Sequence, residues 1–237
     1  MVVAIHQPQY LPWLGLIDRI IKSDVFVFLD SVPYSKNYFY NRNRIKTANG
    51  WIWLTIPVLF KGKFGEKIEN IRIDNGINWR EKHLKSISLA YKKAPFFKQY
   101  IPHLEDFYSK EWLFLSQASI ASTELMLKLF GITARTIKSS DIKAEGAKET
   151  LLIDICRKLG AKAYLAGPDG KNYIRPENWK ESNIEVRFQD FRHPKYQQLF
   201  GEFLPQMSAV DMLFNYGQDC LSLLLDAKRE YSDLVLK

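Results

Sequence analysis

Residues 2–30 read VVAIHQPQYLPWLGLIDRIIKSDVFVFLD and decide the expected fold. The apolar run at 2–5 predicts a buried strand that stops before Pro8, because proline has no N–H with which to continue a ladder. A helix is expected over 13–22 and a second apolar strand over 25–29. This second run is apolar at every position, which indicates a sheet covered on both faces. Strand, helix and strand in such close succession predict a parallel, right-handed βαβ unit.

The rest of the chain predicts further elements around this unit. A β-hairpin is expected around the turn Ala48-Asn49-Gly50, inside an insertion of about 38–76, and a helical segment of about 78–130 follows it. The remaining expected elements are strands at 38–45, 51–58, 68–73, 132–137, 163–166 and 184–188 and helices at 78–91, 103–130, 148–159 and 208–227. Their alternation predicts a single α/β domain over 1–237, a Rossmann-like parallel sheet flanked by helices, with the hairpin and the helical segment inserted.

Composition restricts the class of protein. Of the 237 residues 46% are hydrophobic, so the chain can bury a core and is not disordered. Cys156 and Cys220 cannot build a disulfide framework, lack CxxC spacing and are expected in the core. No run approaches about 18 apolar residues and no signal peptide is recognisable, which predicts a cytoplasmic protein without a membrane span. The net charge is +8, and because the basic residues are scattered it favours a small anionic substrate over nucleic acid.

Polar residues follow three of the expected strands. His6 and Gln7 come after the first, Asp30 after the second, and a turn from Gly167 to Gly170 after a later one. Because ligands of open α/β sheets bind at the carboxyl ends of the strands, these three ends predict the site. His6 is a candidate general base or donor to an anionic oxygen, or else a cap on the strand end. Asp30 is a candidate metal or ribose contact or a turn former, and the GxxG turn loosely resembles a phosphate-binding turn.

Candidate residues also lie away from these ends. Asn41, Arg42 and Asn43 are consecutive, so on a strand the two asparagines share one face and the arginine lies on the other. Arg42 is a candidate for bidentate phosphate binding, or a solvated surface residue. Tyr173 is a candidate to stack on a base or sugar, or to pack, and His83 is expected at the surface of a lysine-bearing helix. The four histidines are widely separated and no P-loop, GxGxxG, HExxH or GxSxG motif occurs, so no metal site is predicted.

The opening HQPQYLPWLG at 6–15 is similar to the N-terminal signature of the WbqC-like protein family. The further matches are 24–30, 41–43, 53–58, Trp79 with His83, 164–167, Tyr196 with Gln197, Ser208, Asp211 and 213–217. The sequence departs from the family pattern at Asp18 and Arg19, where a lysine-bearing helix is expected, so the resemblance implies no role for that position. At matching positions it implies substrate binding by Tyr10, Trp13, Gly15, His83, Gln197, Asp211 and Asn215.

The family is associated with O-antigen and other surface-polysaccharide pathways. The resemblance therefore implies a transferase that acylates or aminoacylates the amine of a nucleotide-linked amino sugar. His6 would be the base, Gln7 or an asparagine of the Asn-Arg-Asn stretch would donate to the developing oxyanion, and Arg42 would hold the diphosphate. Asp30 would orient the sugar or a metal. A free acid would need ATP and Mg²⁺ for activation, whereas acyl-CoA, a carrier protein or a charged RNA would bring an activated donor.

Two alternatives stay open. The order of strand, histidine-bearing loop, helix and strand is more remotely similar to the nucleotidylyltransferase-like fold, which implies ATP-dependent nucleotidylyl or adenylyl transfer. Those enzymes carry an HxGH pair of histidines, whereas residues 13–16 here read WLGL. The second alternative is a non-enzymatic module that binds a nucleotide sugar or RNA through basic and aromatic residues, including Tyr38, Tyr40, Trp51 and Trp53. The sequence leaves the sugar, the transferred group and the oligomeric state open.

Overall fold

A parallel sheet forms the centre of the computed structural model, which describes residues 1–62 and 64–226. In chain order the strands are β1 (Val2–His6), β2 (Val25–Phe28), β3 (Arg42–Thr47), β4 (Gly50–Thr55), β5 (Thr136–Lys138), β6 (Ala163–Ala166) and β7 (Glu185–Phe188). The α-helices are α1 (Leu14–Ile21), α2 (Trp79–Tyr91), α3 (Phe97–Ser109), α4 (Leu115–Leu129), α5 (Glu149–Lys158), α6 (Pro176–Lys180), α7 (Ala209–Tyr216) and α8 (Cys220–Asp226).

The sheet has five strands in the order β5-β2-β1-β6-β7, and every neighbouring pair is parallel. Val3 of β1 lies opposite Val25 of β2 on one side and Tyr164 of β6 on the other. From β1 the chain adds β2 and then β5 on one side. It then returns to add β6 and β7 on the other side of β1. This is the strand order of Rossmann-like folds, and it confirms the predicted α/β class. The order reverses between β1 and β6, where a crevice opens at their carboxyl ends.

Both faces of the sheet are covered, as the apolar strands predicted. All four residues of β2 are buried. Ala4 and Phe26 belong to a core on one face that includes side chains of α1, α4 and α7. Val3 and Tyr164 belong to a second core on the other face, with α5 and α6, where the ring of Trp179 stacks on Tyr164 at 4.7 Å between centroids. Side chains that alternate along each strand thus fill two separate cores.

The inserted hairpin is present, with two corrections. β3 and β4 pair in an antiparallel manner around the predicted turn. The strand expected over 38–45 begins only at Arg42, because 38–40 form turns and the carbonyl of Phe39 accepts from the N–H of Tyr10 instead of a strand partner. The strand expected over 68–73 is a short 3-10 helix, Ile68–Asn70, followed by isolated bridges. Its backbone groups find separate partners, so a ladder does not form.

Two predicted helices are broken. The helix expected over 103–130 consists of α3, which starts earlier at Phe97, and α4. Between them the chain is extended, because the carbonyl of Leu113 accepts from Ile73 N–H and Leu115 N–H donates to Ile71. The closing helix expected over 208–227 is interrupted at Gly217, which has a φ of +57° and leaves room for an aromatic ring. Ala227 lies outside the described residues. Among the described helices, none has the length and apolarity to cross a membrane.

Candidate functional site

A cleft of about 310 Å³ lies at the carboxyl ends of β1 and β6, where the strand order reverses. This is where open α/β sheets bind their ligands. We call it the His6 cleft. Its lining residues are His6, Gln9, Trp13, Arg19, Tyr38, Phe39, Pro168, Asp169 and Gln206. The structure therefore brings together the loop after β1, helix α1, the loop before the hairpin and the turn after β6.

His6 is held in one tautomer. Its Nδ1 lies 2.8 Å from the carbonyl oxygen of Gln7, which can only accept, so Nδ1 carries the proton and Nε2 carries a lone pair that no donor among the described residues uses. Burial, assisted by the positive charge of Arg19, lowers the pKa of His6 to about 4. The imidazole is therefore neutral at physiological pH. A neutral ring with an open Nε2 can accept a proton or a hydrogen bond from a ligand. Gln7 is half-buried and contributes its carbonyl to this arrangement.

Arg19 of α1 is the residue that the sequence analysis missed. Its side chain is buried, and its Nε donates to Oε1 of Gln189 at 2.9 Å. The amide of Gln189 also donates to Asp18 at 2.7 Å and to the carbonyl of Gly15 at 2.8 Å. The terminal nitrogens lie against Gly167, where a Cβ would come within 2.5 Å of Nη2. Helix α1 and Gln189, the residue after β7, thus place the guanidinium of Arg19 beside the turn after β6. A local sequence pattern cannot predict this contact, because the residues are far apart in the chain.

The side chains of Gln9 and Trp13 form two further sides of the cleft. Gln9 is 3% exposed, and its Oε1 has no hydrogen-bond partner in the described part of the chain. Trp13 is half-buried and packs edge-on against Phe191 at 5.4 Å between centroids. Gly15 makes this position of Trp13 possible, because a Cβ there would lie 2.3 Å from the indole. The predicted pair of Trp13 and Gly15 is therefore one unit that forms a side of the cleft.

Asp30 lies in a different concavity, of about 500 Å³, at the carboxyl ends of β2 and β5. One of its carboxylate oxygens accepts from the hydroxyl of Ser139 and the N–H of Ser140, both at 3.0 Å. The other accepts from the hydroxyl of Ser140 at 2.9 Å. These bonds connect the end of β2 to the residues after β5. Asp30 and His6 thus belong to separate sites, and the predicted orienting role of Asp30 stays a prediction.

The two asparagines share the buried face of the hairpin, as predicted. Asn43 donates from Nδ2 to the carbonyl of Leu11 at 2.6 Å and accepts from Arg44 N–H at 2.8 Å. This connects the hairpin to the loop that carries the cleft residues. Asn41 donates to Ile56 at 3.1 Å, and its Oδ1 is buried without a partner among the described residues. Neither asparagine is among the lining residues of the His6 cleft, and Asn41 lines a separate concavity.

Arg42 lies on the opposite face of the hairpin, beside exposed indoles. Its guanidinium lies over Trp53 at 4.3 Å, and its terminal nitrogens donate to Asn37. Arg44 lies 5.2 Å from the ring of Trp51. We call Arg42, Arg44, Trp51 and Trp53 the hairpin face. Arg42 therefore belongs to this surface next to the His6 cleft, and Arg19 is the arginine of the cleft itself.

Tyr10 and His83 form a buried cluster with Tyr108. The Tyr10 hydroxyl lies 2.9 Å from Nδ1 of His83 and is hydrogen-bonded to the Tyr108 hydroxyl. The expectation that His83 lies at the surface is wrong: it is 7% exposed, because α2 turns this side chain inward onto Tyr10 and the rings of Trp79 and Tyr108. Burial lowers its pKa to about 4, so the ring is neutral. The cluster packs α2 and α3 against the loop after β1.

Asp211 is fully buried in a second polar cluster. Its carboxylate accepts from the hydroxyls of Tyr91 at 2.8 Å and Tyr196 at 2.9 Å. Asn215 donates to the carbonyl of Asp211 at 2.7 Å. Burial raises the pKa of Asp211. The cluster connects α7, α2 and the segment before α7, and its members are not among the lining residues of the His6 cleft.

The remaining predicted site residues lie around the turn after β6 or at the surface. Gly170 is buried, and a Cβ there would lie 3.0 Å from Ala166 and Ile174, so a larger residue would have to displace these neighbours slightly. Tyr173 is 55% exposed. Gln197 is also exposed, and its backbone N–H donates to the hydroxyl of Tyr216. Within 1–62 and 64–226, no three His, Cys, Asp or Glu side chains are grouped to hold a metal ion. Both cysteines are buried, as predicted.

A Rossmann-like α/β protein with a polar cleft at the point of strand reversal is the class that the fold and the site define. The chain belongs to the WbqC-like protein family, whose model matches residues 7–222. It is 34% identical over 219 residues to the uncharacterized protein Rv1507c of Mycobacterium tuberculosis, a match that covers 92% of this chain and 94% of the relative. No solved structure gave a significant match. The resemblance read from the opening signature is thus confirmed.

The buried neutral histidines predict acid sensitivity. In the unfolded chain a histidine titrates near pH 6.5, whereas His6 and His83 do so at about 4 when folded. The unfolded state therefore takes up protons first, and stability falls as the pH drops from about 6.5 to 4, by up to about 3 kcal/mol for each histidine. Urea unfolding at several pH values should show this fall. His83→Gln should flatten the curve relative to wild type, and an unchanged pH dependence would contradict the assignment.

Proposed function

We propose that the protein is a transferase that acylates or aminoacylates the amine of a nucleotide-linked amino sugar, in surface-polysaccharide biosynthesis of the O-antigen type. The observation that carries the transfer chemistry is the neutral His6, whose free Nε2 opens into the same cleft as the guanidinium of Arg19. A base and an anion-binding group side by side suit an anionic substrate that must lose a proton. The polysaccharide pathway is supported by the family resemblance alone.

The proposed reaction uses an activated donor such as a thioester. The substrate ammonium first releases one proton to solvent. The nitrogen of the resulting neutral amine then attacks the carbonyl carbon, so that a C–N bond forms and the C–S bond breaks. Nε2 of His6 takes the proton from the attacking nitrogen and returns it to the leaving thiolate, so the histidine ends in its starting state. Asp169, exposed at the rim of the cleft, places a carboxylate where it can bind the substrate ammonium before attack. A free-acid donor would require ATP and Mg²⁺ in addition.

Transfer can be tested with purified protein, nucleotide-linked amino sugars and acyl-CoA thioesters, with ATP and Mg²⁺ in a parallel set. Stabilisation by a saturating nucleotide sugar at 100 times its Kd amounts to roughly 2.7 kcal/mol, which a thermal-shift measurement resolves. Mass spectrometry should then show the sugar gaining one acyl group. Absence of both the thermal shift and the acylated product across the panel would contradict the proposal.

One observation favours a second candidate function, a binding module for single-stranded RNA. The hairpin face carries two indoles, 44% and 36% exposed, with two guanidinium groups beside them, and bases stack on such surfaces. Arg44 also donates to Gln206 of the His6 cleft at 3.2 Å, so the two sites adjoin. RNA binding should weaken steeply with salt and survive His6→Ala. Acyl transfer, by contrast, should be lost in that variant.

A further inference from the structure

We propose that Arg19 is the phosphate-binding residue of the His6 cleft and that the cleft takes a zwitterionic ligand, an amino sugar phosphate. The phosphate could be a simple ester or the sugar-linked phosphate of a nucleotide sugar, since both present the same group. The proposal rests on the proposed function in one respect, because the amine of this ligand is the group that would be acylated.

The first argument is the unused donors of Arg19. The side chain is 6% exposed, and of its N–H groups only Nε donates to a protein acceptor among the described residues. The terminal nitrogens, which carry four N–H groups, face the cleft. A guanidinium is permanently charged, and burying it without acceptors is costly. An oxyanion in the cleft would accept from both terminal nitrogens at once, the geometry that arginine provides for phosphate.

The second argument is the charge around Arg19. Asp18 is close, but its carboxylate already accepts from Lys22 at 2.5 Å and from Gln189 at 2.7 Å. The carboxylate of Asp169 at the rim accepts no hydrogen bond within the described part of the chain. His6 is neutral, so Arg19 supplies the positive charge of the cleft, and Asp169 at the rim supplies a carboxylate close enough to act on the Arg19 guanidinium. This pair of charges complements a ligand whose phosphate lies at Arg19 and whose ammonium group lies at Asp169.

Gln9 supplies an independent observation. Its buried Oε1, without a partner in the described structure, lines the same cleft and needs a donor. Nε2 of His6 is also an acceptor. Sugar hydroxyls and an amine provide such donors, whereas inorganic phosphate or a fatty acid offers few. A volume of about 310 Å³ lies at the small end of ligand clefts and suits one sugar with its phosphate.

Gly167 shows that the turn after β6 is shaped for the guanidinium. Its φ of −71° and ψ of 168° suit any residue, so the backbone does not require glycine. The requirement comes from the 2.5 Å separation between a Cβ and Nη2 of Arg19. Gly167→Ala should therefore keep the fold and displace the guanidinium, which makes it a test of Arg19 without touching that residue.

The experiment is isothermal titration calorimetry on the full chain with glucosamine 1-phosphate, UDP-glucosamine, glucosamine, glucose 1-phosphate and inorganic phosphate. Arg19→Met should weaken binding of both aminated phosphates about 10- to 100-fold, the loss expected for charge-assisted hydrogen bonds. Arg19→Lys should weaken binding less, because lysine keeps the positive charge but cannot donate two parallel hydrogen bonds to a phosphate as a guanidinium does. Gly167→Ala should resemble Arg19→Met. Arg135→Ala, which removes an exposed arginine before β5, is the control and should bind as wild type.

The outcomes separate this proposal from the proposed function. Unchanged affinity in folded Arg19→Met and Gly167→Ala, or a wild type that binds neither aminated phosphate, would overturn the phosphate site. Equal binding of glucosamine and glucosamine 1-phosphate would do the same. Arg19-dependent binding without any acyl transfer would leave the site standing and contradict the transferase. Tighter binding of UDP-glucosamine than of glucosamine 1-phosphate would identify the nucleotide-linked sugar as the source of the phosphate.

Discussion

His6→Asn is expected to lower kcat/KM for acyl transfer by about 10²- to 10⁴-fold, the range that a general base contributes. Asparagine keeps an N–H that can donate to the Gln7 carbonyl, as Nδ1 of His6 does at 2.8 Å. It has no lone pair on nitrogen that can take the substrate proton. The variant should therefore fold, keep the Arg19-dependent binding of the amino sugar phosphate, and lose the chemical step.

The matched control is His103→Asn, since His103 is exposed on α3. Its transfer rate should equal that of wild type. The pH profile gives a further check, because a pKa of about 4 keeps His6 neutral above roughly pH 5. A plot of the wild-type kcat/KM against pH should show no rise or fall that is centred near pH 6.5. Full activity in His6→Asn, or such a rise or fall that is lost on mutation, would remove the neutral-base mechanism.

Asp211→Ala is expected to lower the free energy of unfolding by about 3 kcal/mol. The variant leaves the buried hydroxyls of Tyr91 and Tyr196 without their acceptor. It also removes a carboxylate that lies close to the buried Lys46. Relief of the desolvation that raises the pKa of Asp211 offsets part of this loss. Chemical denaturation of wild type and variant measures the difference.

The conservative variants decide whether the hydrogen bonds are responsible. Asp211→Asn keeps one acceptor oxygen, so it should cost about half as much as Asp211→Ala. Tyr91→Phe and Tyr196→Phe should each cost about 1 to 2 kcal/mol, and each should add less than its full cost to Asp211→Ala, because the bond to the carboxylate is already lost while the bonds from Lys46 and Gln198 to the hydroxyls are not. Additive effects, or an alanine variant as stable as wild type, would contradict the network.

The local sequence pattern was sufficient to predict an element where that element is formed by interactions within its own segment or by simple burial. The apolar runs of β1, β2 and β6 predicted buried strands, and the structure confirms them in a parallel sheet. The helices at 78–91 and 148–159 were also predicted to within a residue or two. The strand at 68–73 and the unbroken helix at 103–130 were wrong. In both cases backbone groups pair with distant segments, which no window of sequence reveals.

The residues of the candidate site also fall into those that the sequence predicted and those that only the tertiary structure showed. The sequence by itself determined that polar residues follow β1 and β6, because strand order and apolar patterning place those ends at one edge. His6 was found for that reason, whereas Trp13 and Gly15 came from the family resemblance. Only the tertiary structure decided that Arg19 faces this edge, since its position depends on Gln189, 170 residues further along the chain.

Burial was likewise decided by tertiary packing. His83 lies between Lys82 and Lys85 on a helix, yet the packing of α2 onto Tyr10 makes it a neutral core residue. Asp211 and Asn43 match the family pattern, but their hydrogen bonds show that they hold elements together rather than line the cleft. Periodicity in sequence thus predicted the strands of the parallel sheet and the helices whose backbone bonds are local. Contacts between residues far apart in the chain decided which polar side chains are free to meet a ligand.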